Sequence, residues 1–155
     1  MGRELSDFTD AWPGVRESIR GMFAAQFPTE GAHGASGKWA PLTARYAAWK
    51  ARRYPGRKIL ELTGLLKGSL TSAGHPDEVV QESKTSLWVG TAVPYAQYHQ
   101  FGTPIMRKRE IVSLTSRDVA SMAMAVHRKV DRDVNKFSLI QRMASQKARV
   151  MAGAR

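Results

Sequence analysis

Histidine is the side chain most often used for proton transfer near neutral pH, and His99 has the most suggestive setting of any here. It lies between Tyr95, Tyr98 and Phe101 and just ahead of Gly102. A hydrolase would need a nucleophile, a base and an orienting group brought together, with the base in hydrogen-bond reach of the proton it takes. No carboxylate is near His99 in sequence, so a packed or hydrogen-bonded structural histidine is expected. His33, His75 and His127 are scattered, with no pair at helical ligand spacing, and cysteine is absent; no disulfide and no structural metal is expected. The acidic residues are too few and too dispersed for a two-metal nuclease. Gly31-Ala32-His33-Gly34-Ala35-Ser36-Gly37-Lys38 superficially resembles a phosphate loop, but its glycines are not at Walker spacing and no strand precedes it. It reads as a flexible loop, and no cofactor is expected.

Residues without chemistry of their own must serve packing or partners, and composition sets the scale. The chain has 155 residues, 43% of them hydrophobic, and a mean hydropathy of −0.36, which suits one compact domain. We expect that domain over residues 1–135, followed by a basic C-terminal extension over 136–155. No apolar run approaches the roughly 20 residues of a membrane span, and the N-terminus has no apolar signal core, so synthesis in the cytosol is expected.

Net charge is +11 and unevenly spread. Residues 1–37 carry three basic and five acidic side chains, 38–68 eight and one, 69–106 one and three, and 107–155 twelve and four. Basic blocks of this kind bind either phosphate backbones or acidic protein surfaces; the balance favours solvated faces and protein partners.

Periodicity then places the elements. Leu5, Phe8, Trp12, Val15, Ile19, Met22 and Phe23 recur at helical steps, predicting an amphipathic helix that starts near Trp12, because Pro13 suits a first turn. It should end by Phe27, with a short turn before it capped around Thr9 or Asp10. After the 28–37 loop, Thr43 can cap a helix with Leu42, Tyr46 and Trp49 on one face and Arg45, Arg52 and Arg53 opposite, stopped by Tyr54-Pro55-Gly56. Thr63 is a plausible cap for a helix through Leu70 that would bury Leu62, Leu65, Leu66 and Leu70, leaving Lys67 solvated. Glu78–Glu82 and Ser86–Gly90 read as a β-hairpin, and Ile111–Leu114 as a third strand. A helix capped by Ser116, with Val119, Met122, Ala123, Val126 and Val130 in register, should reach about Val134. The tail from Lys136 keeps Phe137, Ile140, Met143 and Ala144 at helical steps with five basic residues and no acidic one, so it is either docked or ordered by a partner. At least two of Trp39, Trp49 and Trp88 should be core, and Tyr95, Tyr98 and Phe101 should anchor the segment after Pro94. The expected class is α+β: a small antiparallel sheet packed by the N-terminal helix and the long C-terminal helix.

Three segments, in order, resemble the phage virion morphogenesis (tail completion) proteins of the phage Mu type and related neck proteins. Gly37-Lys38-Trp39-Ala40-Pro41-Leu42, with Tyr46 and Lys50, is similar to a W-x-P-L…Y…K segment. Ile59-Leu60-Glu61-Leu62-Thr63-Gly64-Leu65-Leu66-Lys67-Gly68-Ser69-Leu70 is similar to I-L-x-x-T-G-x-L-x-x-S-L. Val89-Gly90-Thr91, Pro94-Tyr95-Ala96 and His99-Gln100-Phe101-Gly102 are similar to V-G-T…P-Y-A…H-Q-F-G. Where such proteins often continue with a Met-Pro-x-Arg-Pro-Phe-like run, this chain has Ile105-Met106-Arg107-Lys108-Arg109-Glu110-Ile111.

The resemblance implies a non-enzymatic structural protein of the virion neck or tail end, working as a self-assembled ring, expected to be a hexamer, that completes the tail or joins it to the head. Its implied partners are other neck and tail proteins (connector or adaptor, tail tube), with non-specific contact to DNA passing through the lumen. Arg107, Lys108, Arg109, Arg142, Lys147 and Arg149 are the candidate assembly contacts. The competing reading, from charge alone, is a basic nucleic-acid-binding module.

Overall fold

A computed structural model of the chain describes residues 7–152, and side chains as far as Gln146. Leu5, and the side chains of Lys147 and Arg149, lie outside the described residues. A short 3-10 turn at Thr9–Ala11 leads into α1 (Trp12–Gln26), followed by α2 (Ala44–Arg53), α3 (Leu65–Thr71), β1 (Glu78–Glu82), β2 (Leu87–Thr91), α4 (Ala96–Phe101) and α5 (Ser116–Ala152). The α+β expectation holds: α1 packs against both α3 and α5, and β1 and β2 form a two-stranded antiparallel sheet pairing Val80 with Val89.

Helix α1 begins where Pro13 allows it. The cap position of the turn before it is Phe8 and not Thr9 or Asp10, and ahead of it the Asp7 carboxylate accepts from the Thr9 amide and hydroxyl. The apolar stripe of α1 divides between two clusters. Trp12 and Val15 meet Ala125 of α5, while Met22 and Phe23 join Phe27, Trp39, Leu66, Leu70, Val93 and Ile111; Ile19 touches both. Its polar edge holds the hairpin, Arg16 pairing with Glu82 at 2.5 Å and Arg20 with Glu78 at 2.6 Å.

Several expectations need correction. Ile111–Leu114 alternates buried and exposed residues as a strand would, but it pairs with no strand. The side chain of Gln100 occupies its backbone groups instead: Oε1 accepts from the Ile111 and Val112 amides, each at 2.9 Å, and Nε2 donates to the Val112 carbonyl at 3.2 Å. Helix α5 does not stop near Val134 but runs 37 residues to Ala152, about 55 Å at 1.5 Å per residue. Its cap is Thr115 and not Ser116, in a reciprocal box: Thr115 Oγ1 accepts from the Asp118 amide at 3.2 Å and Asp118 Oδ2 from the Thr115 amide at 2.8 Å. The buried face of α5 runs through Asp118, Ala125 and Lys129, one step around from the expected stripe, so Val119 and Ala123 are exposed.

The glycine-rich segment is packed and not a free loop. Gly31 and Gly34 are buried, the Trp39 amide donates to Glu30, and the Ser36 amide donates to Ser113 Oγ. Of the three tryptophans weighed for the core, only Trp39 is buried; Trp49 is 42% exposed and Trp88 70%. Leu66 and Leu70 bury as expected whereas Leu65 does not, and Gly64, in the left-handed region at φ 89°, holds the cap position expected for Thr63.

Candidate assembly interface

The three motif segments close on one another through side chains that grip backbone. Trp39 Nε1 donates to the Glu110 carbonyl at 2.7 Å. Arg109, almost fully buried, donates from Nε to the Ala40 carbonyl at 2.7 Å and from Nη2 to the Pro41 carbonyl at 3.0 Å, so the first motif is tied at three points to the segment after the third. Burial, with Arg107 nearby, lowers the Arg109 pKa, yet a guanidinium stays charged in proteins, which makes these strong charge-assisted bonds. The second motif enters through Leu66 and Leu70 in the core and through Ser69, whose hydroxyl meets that of Thr91 at 2.7 Å. Upstream of it, Lys50 donates to the Lys58 carbonyl, Lys58 to the Pro28 carbonyl, and the Ile59 amide to Glu30. Leu60 sits in the left-handed region at φ 61°.

Helix α4 turns its small and polar side inward. Val93 and Ala96 meet the core, and the His99 carbonyl accepts from the Arg109 amide at 2.8 Å. Gly102, at φ 75°, reverses the chain so closely that a Cβ there would lie 3.1 Å from the Lys108 nitrogen. Tyr95, Tyr98 and Phe101 lie three residues apart on the opposite side and face outward, Phe101 77% exposed, with Ile105 beyond them 99% exposed. The expected anchoring by these rings is therefore overturned: in a six-residue helix one side can face the core, and Ala96 and Gln100 occupy it.

Among the described residues no hydrogen bond or ion pair reaches the His99 ring. Its Nδ1 is buried without a partner, and burial first, then the Arg109 charge, lowers its pKa, so the ring is neutral where an ordinary histidine would begin to protonate. Its ring meets that of Tyr95 edge to face, with centroids 6.0 Å apart. Among the described residues no trio of His, Cys, Asp or Glu could hold a metal ion.

The sequence pattern that defines the phage virion morphogenesis family matches residues 15–134, which include all three motif segments and the clasp around Trp39 and Arg109. The chain belongs to the phage virion morphogenesis family. No curated protein and no solved structure gives a match. A phage virion morphogenesis protein of this family is structural and non-enzymatic, in keeping with motif residues that hold backbone and leave no reactive constellation. No helix among the described residues is long and apolar enough to cross a membrane.

The basic residues singled out from the sequence have separate fates in this virion protein. Arg107 is exposed, Lys108 pairs with Glu110, and Arg109 is turned inward as a clasp. Arg142 is exposed on the distal part of α5. That distal part, past the end of the family match, carries Phe137, Leu139, Ile140 and Met143, all more than half exposed. The buried polar groups Gln26, Asp118 and Lys129 were not foreseen, since nothing in their types or spacing separates them from solvated residues, and for Lys50 and Gln100 the motifs gave the positions but not their grip on backbone.

Proposed function

We propose that this virion morphogenesis protein works in the neck, completing the tail and joining it to the head as a ring of subunits, sixfold by expectation, in contact with other neck and tail proteins. The observation that carries the reading is the outward-facing Tyr95, Tyr98, Phe101 and Ile105. Large apolar side chains left exposed mark a contact site, and ring closure needs an apolar surface meeting a different surface on the next copy. The projecting end of α5, apolar on one stripe and basic elsewhere, supplies a second surface suited to a neighbour. Arg107 and Arg142 meet acidic protein surfaces in this reading, because a lumen lined by many cations would hold back the DNA sliding through it; contact with that DNA is non-specific.

The test is an infection in which this chain is deleted or carries Phe101→Ser with Ile105→Ser. Full heads and tails that lack only this ring should accumulate unjoined, and labelled wild-type chain should be seen at the neck of complete particles. Normal joining without the chain would overturn the neck role. A density map that placed Arg107 and Arg142 along the lumen would overturn the assignment of their partners.

A further inference from the structure

Helix α2 departs from the usual economy of an amphipathic helix. Leu42, Tyr46 and Trp49 are spaced as a core stripe, yet Tyr46 is 40% and Trp49 42% exposed, and the residue that α2 buries is Lys50. The rings instead line up with one another: Tyr46 stacks on Trp49 at 5.4 Å between centroids with planes 28° apart, and Tyr54 follows at 5.9 Å. On a helix the neighbours of a side chain lie three and four residues away. For Trp49 these are Arg45, Tyr46, Arg52 and Arg53, so the arginines flank the aromatic face and do not lie opposite it as their types suggested. All three arginines are exposed, as are Arg57 and Lys38 nearby, and none of the five has an ion-pair partner among the described residues.

Elsewhere much of the positive charge is used internally. Arg16, Arg20, Lys67 and Lys108 are paired with carboxylates, and Lys50, Lys58 and Arg109 grip carbonyls. Over residues 38–68 the one acidic residue, Glu61, is buried and bonded to Lys67. What remains on this face is a row of aromatic rings, Tyr46 and Trp49 exposed and Tyr54 half-buried, bordered by guanidinium groups with no ion-pair partner among the described residues.

We propose that this face of α2 binds single-stranded nucleic acid, with unpaired bases stacking on Trp49, Tyr46 and Tyr54 and phosphates meeting Arg45, Arg52, Arg53 and Arg57. Exposed π-faces beside fixed cations are the two components of such sites: stacking accepts any base, and the arginines follow the backbone. A duplex keeps its base faces covered and would use only the arginines, so the aromatic row argues for unpaired strand. A protein surface could also cover exposed Trp, Tyr and Arg side chains; what favours unpaired strand is the succession of rings along one face, 5.4 and 5.9 Å between centroids, with arginines beside them, and the assembly readout below tests the protein alternative. The inference goes beyond the ring reading and does not depend on it.

The experiment uses the full chain with a fluorescent oligothymidylate of about 20 nucleotides and a blunt duplex of equal length, titrated at several salt concentrations. Binding of the single strand should quench tryptophan emission, and Trp49→Ala should weaken it by about five- to a hundredfold. Arg52→Gln with Arg53→Gln should flatten the logarithmic salt dependence by about 1.4, at about 0.7 for each phosphate no longer neutralised. Arg117→Gln with Arg128→Gln removes equal charge from exposed positions on α5 and should cost much less affinity. All of these positions are exposed or partly so, and thermal unfolding should confirm that each variant folds. The proposal is overturned if Trp49→Ala binds like wild type, or if the α5 pair weakens binding as much as the α2 pair, which would reduce the effect to net charge. Equal duplex binding without quenching would overturn it in favour of phosphate contact alone. Absence of oligonucleotide binding at low salt, with the α2 variants impaired in assembly, would reassign the face to a protein partner.

Discussion

Single residues in this chain act mainly by holding backbone in place, and two of them give sharp tests. Gly31 has φ 88°, and a Cβ there would lie 2.5 Å from the Trp39 ring. Gly31→Ala should therefore cost both the left-handed penalty of about 1–2 kcal/mol and a displaced tryptophan, for a total of about 2–4 kcal/mol in urea unfolding. Gly56, at φ 76° with open space around it, is the control: Gly56→Ala should cost only about 1–2 kcal/mol, and equal losses at both sites would show that the Trp39 contact is unimportant.

His99 links burial to pH. Burial and Arg109 depress its pKa, so below the ordinary histidine value of about 6.5 the unfolded chain takes up a proton that the folded chain refuses. Stability from this group is present above that value and declines as pH falls below it. His99→Gln should remove this part of the slope between about pH 7.5 and 5.5, read from denaturation midpoints. A slope unchanged by the substitution would assign the dependence to another group. Asp118 acts lower on the scale: burial alone would raise its pKa, but the hydroxyl and amide of Thr115, with His33, outweigh that and hold it below the usual carboxylate range. Its contribution is present above about pH 4 and is lost as pH falls through the lowered value.

At the scale of elements, α5 has two halves with different work. The proximal half packs Ala125 against Trp12 and Val15, and Lys129 pairs with Asp133 while its ammonium lies 5.7 Å from the Phe8 ring centroid. The distal half continues the helix past the body, and its apolar residues are more than half exposed. A helix that long in isolation would be sustained by propensity alone, so its apolar stripe gains stability only from a partner. Phe137→Asp with Ile140→Asp should accordingly leave the unfolding free energy of the monomer within about 0.5 kcal/mol while reducing self-association in sedimentation. A large loss of monomer stability would mean that the distal half folds back on its own body.

For the whole molecule, the arrangement separates a closed interior from three outward surfaces: the outer side of α4, the aromatic face of α2 and the distal half of α5. The motif segments, distant in sequence, are drawn together by Arg109, Trp39 and Gln100, and the same closure pushes Tyr95, Tyr98, Phe101 and Ile105 to the outside. Replacing Phe101 and Ile105 by serine should leave thermal stability of the isolated chain near its starting value and lower its assembly mass in analytical ultracentrifugation toward one subunit. Assembly unaffected by the double substitution would move the ring contact to another surface.

The sequence by itself determined most of the elements and the family. Pro13, the three- and four-residue steps of Trp12 to Phe23 and the turn residues around Ser83 to Thr85 specify local backbone directly, because local sterics and periodicity act within a few residues. The ordered motifs likewise pointed to virion morphogenesis, which the family match over 15–134 establishes. Which apolar residues are buried was decided by tertiary structure. Trp49 and Leu66 both sit at helical core spacing, yet only Leu66 finds a surface to cover it. Ile111–Leu114 has strand periodicity, but Gln100 of helix α4 takes the Ile111 and Val112 amides in place of a neighbouring strand. Periodicity sets which side chains share a face; whether that face meets the core, solvent or another molecule depends on where the rest of the chain packs.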